Sequence, residues 1–70
     1  MPAHVNTLSN LGTVYLQIND IEKATFFLQG ALKIDPNSII ANSNLGVVFN
    51  RSTEYTKAIE CFKKVINIEP

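Results

Sequence analysis

Apolar side chains recur along this chain at intervals of three and four, the spacing that gathers them on one side of a helix. In the first stretch Leu8, Leu11, Gly12, Tyr15 and Ile18 keep that step, with Val14 beside them. Asn19-Asp20 breaks the pattern, and Asp20 is placed to cap a second helix carrying Ile21, Ala24, Phe27, Leu28, Ala31 and Leu32. That helix is expected to stop at Asp35-Pro36, because a residue before proline resists helical geometry. The pattern restarts after Asn37-Ser38 with Leu45, Val48 and Phe49 on one face. A last helix shows Tyr55, Ala58, Ile59, Phe62, Val65 and Ile66. No segment alternates with period two over a useful length, so no strands are expected. The pattern predicts an all-α fold with four antiparallel helices over residues 3–18, 21–34, 37–51 and 54–68.

A shift of 34 residues lays the chain on itself. Pro2, Pro36 and Pro70 coincide, as do Ser9-Asn10-Leu11-Gly12 with Ser43-Asn44-Leu45-Gly46, and Lys23-Ala24 with Lys57-Ala58. Of the 32 pairs from Val5/Ile39 to Pro36/Pro70, nine are identical, and the alignment of rare Gly and Pro makes chance composition a poor explanation. The chain divides into one module of two repeats, 3–36 and 37–70. Each repeat buries its apolar face on a neighbour, and such arrays usually need about three units. Two are present, so the chain is expected either to be a piece of a longer array or to cover its ends by homo-oligomerisation. A two-repeat monomer is the simpler alternative.

Helix–turn–helix units of this length resemble tetratricopeptide repeats, with the pattern W-x₂-L-G-x₂-Y, then A-x₃-F, then P. The first unit supplies Leu8, Leu11-Gly12, Tyr15, Ala24, Leu28 and Pro36; the second supplies Asn42, Leu45-Gly46, Phe49, Ala58, Phe62 and Pro70. Neither has the Trp, and Asn42 is the weaker substitute for it. The resemblance covers essentially the whole chain and implies an α-solenoid fragment, in which Gly12 and Gly46 meet Ala24 and Ala58 where paired helices approach closely. One turn departs from the family pattern: Asn19 and Thr53 stand where a Gly is usual. A β-branched residue tolerates positive φ poorly. Thr53 is therefore expected either to sit in a strained tight turn or to let residues 52–54 open into a long helix that swaps the last helix to a second chain.

Charge and composition narrow the chemistry. Six Lys/Arg balance six Asp/Glu, which argues against nucleic acid or an anionic membrane as partner. No run approaches a membrane span and the first residues lack a signal-peptide layout, so a cytoplasmic location is the default. His4 has no ligand-spaced neighbour, Cys61 stands alone and mid-helix, the carboxylates are scattered, and the glycines form no phosphate loop. Neither an enzyme nor a cofactor is expected.

All twelve charged residues fall in 20–35 or 51–69, leaving the first helix of each unit uncharged before Arg51. The resemblance implies that these first helices line a concave groove. Its surface would comprise Asn6, Ser9, Asn10, Thr13, Leu16 and Gln17, then Ile40, Ser43, Asn44, Val47, Asn50 and Arg51. Asn10 and Asn44 occupy the same place in successive units, and an amide can pair with a peptide's C=O and N–H together. The Ser-Asn-Leu-Gly arrangement resembles the asparagine ladder in the repeat arm of O-linked N-acetylglucosamine transferase, which implies a protein or peptide ligand; the expected function is a non-catalytic segment of a protein–protein interaction scaffold that binds an extended peptide or a partner helix in this groove. In that reading Leu16, Ile40 and Val47 give apolar contact. The alternative is a bracing role, the amides bonding to helix termini of the adjacent unit, which can coexist with a peptide contact because an amide has more capacity than one bond uses. The carboxylate clamp of heat-shock-chaperone adaptors is disfavoured, because Ser9 and Thr13 replace its first Lys and Asn. Self-assembly is the alternative function, with Ile39, Ile40, Phe26 and Ile59 as candidate uncovered apolar surface.

Overall fold

A computed structural model describes residues 3–68. It contains α1 (Ala3–Gln17), α2 (Ile21–Ile34), α3 (Ile39–Arg51) and α4 (Tyr55–Ile68), with no strand among the described residues. The all-α expectation therefore holds. The ends shift by one or two residues: α1 stops before Ile18, and α4 begins after Glu54. The larger difference is at α3, expected from 37. Asn37 instead donates its backbone N–H to Asp35 Oδ1 at 3.1 Å, holding 36–37 in a turn. Ser38 is the N-cap, its Oγ accepting the Ala41 N–H at 3.2 Å.

Both intra-repeat turns close in the same way. The Asp20 N–H reaches the Tyr15 carbonyl at 2.8 Å and the Asn19 N–H that of Leu16 at 3.0 Å. The corresponding bonds run from Glu54 to Phe49 at 2.8 Å and from Thr53 to Asn50 at 3.1 Å. This paired pattern ends a helix on a left-handed residue, and Asn19 (φ 64°) and Thr53 (φ 59°) hold that conformation. The tight turn is thus the form Thr53 adopts, and α4 folds back onto α3 of its own chain. Asp20 caps α2 as expected, its Oδ1 accepting the Lys23 N–H at 3.2 Å. At the far end of α2, Asp35 leaves helical geometry at φ −136°, just ahead of Pro36.

α1 packs on α2 and α3 on α4, while α3 also packs against both α1 and α2. The core is made of Val5, Leu16, Ala24, Leu28, Ala31, Ala41, Leu45 and Val48. Close approach within each repeat depends on the glycines. A Cβ on Gly12 would stand 2.5 Å from the Leu28 side chain, and one on Gly46 would stand 2.7 Å from the Phe62 ring. The opposing Ala24 and Ala58 are buried, as the repeat pattern requires. The outer side of each joint repeats as well: Lys23 Nζ lies 5.5 Å from the Tyr15 ring centre, and Lys57 Nζ 5.6 Å from that of Phe49.

Candidate functional site

The first helices touch each other directly, whereas α2 and α4 make no such contact among the described residues. α1 and α3 thus stand side by side, and the face they share is the candidate inner face. Asn6 and Asn10 are exposed on it, as are Ile40 and Arg51, while Thr13, Ser43, Asn44 and Val47 are half-buried.

Two residues expected on this face are elsewhere. Ser9 and Leu16 are buried in the core. They fall in step with Val5 and Gly12, and with these they form the side of α1 that lies inward. Leu16 is thus a packing residue and cannot offer apolar contact to a ligand. The Ser9 Oγ is buried without a hydrogen-bond partner among the described residues. Of the candidate uncovered apolar residues, Phe26, Ile40 and Ile59 are exposed, but Ile39 is half-buried at the start of α3.

The two ladder asparagines are not equivalent in their bonding. Asn44 Nδ2 donates to Thr13 Oγ1 across the repeat boundary, and Thr13 Oγ1 donates in turn to the Ser9 carbonyl at 3.0 Å. The nitrogen end of the Asn44 amide is thereby used in bracing. Asn10, one repeat earlier, is exposed. Arg51 supplies the second tie: its Nη1 donates to the Leu16 carbonyl at 2.9 Å, within the last turn of α1. A cation at a helix C-terminus also meets the negative end of the dipole favourably.

Asn42 has a role that the repeat pattern did not bring out. Its buried amide donates to the Pro36 carbonyl at 3.0 Å and the Ser38 carbonyl at 2.8 Å, stapling the inter-repeat turn to α3. A signal was available, since Asn42 replaces the apolar Leu8 of the first unit at an inward position. A polar residue there needs a partner.

Chemistry beyond hydrogen bonding is sparse. Among the described residues no group of three or more His, Cys, Asp or Glu is placed to hold a metal ion. Burial raises the Cys61 thiol above its ordinary range, Glu60 adds to the rise, and Lys64 opposes it. That is the reverse of what activates a thiolate nucleophile. Among the described residues no helix is long and apolar enough to cross a membrane.

Comparison with known proteins gives the same architecture. Among curated proteins, the chain is 29% identical over 66 residues to anaphase-promoting complex subunit 3 of Schizosaccharomyces pombe, covering 94% of this chain and 10% of that protein. It is 32% identical over 62 residues to superkiller protein 3 of the same yeast, covering 89% of this chain and 4% of the relative. An uncharacterized protein, ycf37 of Guillardia theta, is 23% identical over 64 residues, 91% of this chain and 36% of its own length. The chain thus spans between 4 and 36% of the relatives it matches. The family model described as tetratricopeptide repeat matches residues 5–38 and again 40–70. With two matches covering nearly every residue, each containing a turn that closes on the same hydrogen bonds, the chain belongs to the tetratricopeptide repeat family.

Proposed function

We propose that this module, read as repeats 3–36 and 37–70, is a non-catalytic binding segment whose α1/α3 face holds an extended peptide through its backbone. The observation that carries the reading is the inner face itself. It presents amides at equivalent places on two successive helices, Asn10 and Asn44, on a surface whose single formal charge is Arg51. The Asn44 oxygen would accept a ligand N–H while its nitrogen stays on Thr13. Asn10 would offer both ends of its amide. Ile40 and Val47 would supply apolar contact, with Asn6 and Ser43 at its edges; Ser9 and Leu16 support this surface from beneath. Because Arg51 already donates to α1, it contributes field more than a free guanidinium fork.

Two repeats offer few contacts, so the affinity of this segment is weak and grows with repeats in line. A cytoplasmic setting and a protein ligand, rather than nucleic acid or membrane, belong to the same reading, supported by the balance of six cationic and six anionic residues. The test is capture of short unstructured peptides on an array, with parent and Asn10→Ala/Asn44→Ala chains compared at equal helicity. Each amide bond to a ligand is worth about 0.5–1.5 kcal/mol, so the double variant is expected to lose roughly tenfold or more in affinity. Thr13→Val removes the brace but keeps both amides, and is expected to retain capture. Undiminished capture by the asparagine double variant sinks the reading.

A further inference from the structure

Two residues on the outer side of α2 break the symmetry of the repeats. On α4, Glu60 and Lys64 stand four apart, in the order that favours a helix. At the same places α2 carries Phe26 and Gly30. Phe26 is 72% exposed, the most exposed large apolar side chain among the described residues. Gly30 lies inside α2, although glycine is the weakest helix former after proline. Packing does not call for it: a Cβ on Gly30 would meet only Leu8, at an ordinary 3.6 Å, unlike the close approaches at Gly12 and Gly46. This exposure does not come from where the chain starts or stops. The following repeat is already in place, with α3 packed against α2, and α4, which has a whole repeat before it, packs on neither α1 nor α2. By the same repeat geometry, a unit placed before α1 would leave α2 untouched.

We infer that this side of α2 is a docking site for an amphipathic helix of another protein, which seats one large apolar side chain at Gly30 and a carboxylate against Lys33. On a helix surface each position is ringed by the residues three and four away, which for Gly30 are Phe26, Phe27, Lys33 and Ile34. With no side chain at the centre, these four outline a hole of the kind that takes a knob from a facing helix. Its aromatic wall is braced: the Phe26 and Phe27 rings meet edge to face at 5.3 Å, and Phe27 stacks on Tyr15 at 5.5 Å. The backbone groups inside α2 are spent on its own hydrogen bonds, so an extended strand finds nothing there to pair with, whereas a helix docks through side chains alone. Charge sets the rim of the partner. Lys33 makes no ion pair among the described residues. Glu22 lies more than two turns from Gly30. The site is on a second helix, away from Asn10 and Asn44, so it stands or falls separately from the peptide reading.

The test is a display library of helical peptides of about 15 residues, randomised along one face of an alanine-rich frame. It is selected on the 70-residue chain and counter-selected on Phe26→Glu/Gly30→Lys, which gives α2 the residues of α4. That variant is expected to be at least as helical as the parent by circular dichroism, since glycine is replaced by a better helix former. Recovered peptides are expected to carry large apolar residues three and four apart with Asp or Glu on one flank. They should shift the amide NMR signals of residues 26–34 and bind the parent roughly tenfold or more tighter than the variant. Gly30→Ala, which fills the notch with one methyl, is expected to weaken the same peptides while raising helicity. Asn10→Ala/Asn44→Ala is expected to leave them bound. A library that enriches nothing on the parent over Phe26→Glu/Gly30→Lys overturns the inference, and so do peptides that bind in extended form or with basic flanks. Sedimentation of the parent alone supplies the last check: self-association abolished by Phe26→Glu/Gly30→Lys would give the face to a second copy instead.

Discussion

At the scale of single residues, Thr53 is the costliest departure from what the backbone prefers. It holds φ at 59°, in a region where a β-branched side chain crowds its own carbonyl. Its hydroxyl takes only a local bond, to the Ser52 carbonyl at 2.6 Å. The left-handed penalty for a residue with Cβ is about 1–2 kcal/mol, and glycine's greater freedom in the unfolded chain returns part of it. Thr53→Gly is therefore expected to stabilise the chain by roughly 0.5–1 kcal/mol, seen as a rise of a few degrees in Tm. Asn19→Gly, at φ 64°, is expected to gain less, because Asn visits this region readily. A loss of stability in Thr53→Gly would mean the threonine side chain supports the turn. The strain was legible in the sequence as a missing Gly; that the turn closes in spite of it was not, since the packing of α4 on α3 outweighs a penalty of about 1–2 kcal/mol.

At the scale of elements, each helix boundary is a local matter, and most were legible. Asp20 starts α2 and Pro36 follows its end because side-chain capping and proline sterics act within a few residues. The α3 boundary was misplaced because two local devices compete there. The Asp35 carboxylate and the Ser38 hydroxyl each capture a backbone N–H, and the second defines the helix start. Asn42 then secures the joint from inside α3. Asn42→Ala is expected to cost about 1–3 kcal/mol, since it removes one buried and one part-buried hydrogen bond from the inter-repeat turn. A lower urea midpoint, with faster hydrogen exchange at 37–38, is the measurement. An unchanged midpoint would show that the turn holds without the staple.

Over the whole molecule, what matters is how firmly one repeat is coupled to the next. Besides apolar packing, the polar ties from Asn44 to Thr13 and from Arg51 to the Leu16 carbonyl cross the boundary. Arg51→Met keeps the aliphatic stem and removes the donor. At this exposed position the expected loss is only about 0.5–1 kcal/mol, and it falls on the coupling between repeats. Urea unfolding should accordingly broaden, with a smaller m value, as the two repeats begin to melt separately. A shifted midpoint with an unchanged slope would assign Arg51 to the stability of one repeat alone. The surface ion pairs Asp20–Lys23 and Glu54–Lys57, at 3.9 and 3.1 Å, lie within single repeats and contribute little to this coupling.

The sequence by itself determined the helices, their 34-residue register and the close approach at Gly12 and Gly46 within each unit, because periodicity, capping and side-chain size act locally or repeat along the chain; that Leu28 and Phe62 are what those glycines meet came from the structure. It also marked Asn10 and Asn44 as equivalent. Only the tertiary structure decided how those equivalent positions differ. Ser9 is buried while Ser43 is half-buried, and Leu11 is exposed while Leu45 is covered. Asn44 is tied to Thr13, but Asn10 stands exposed one repeat earlier. A repeat period assigns the same place to both members of each pair, whereas burial and bonding depend on which neighbour lies beyond the unit, and α1 and α3 have different ones.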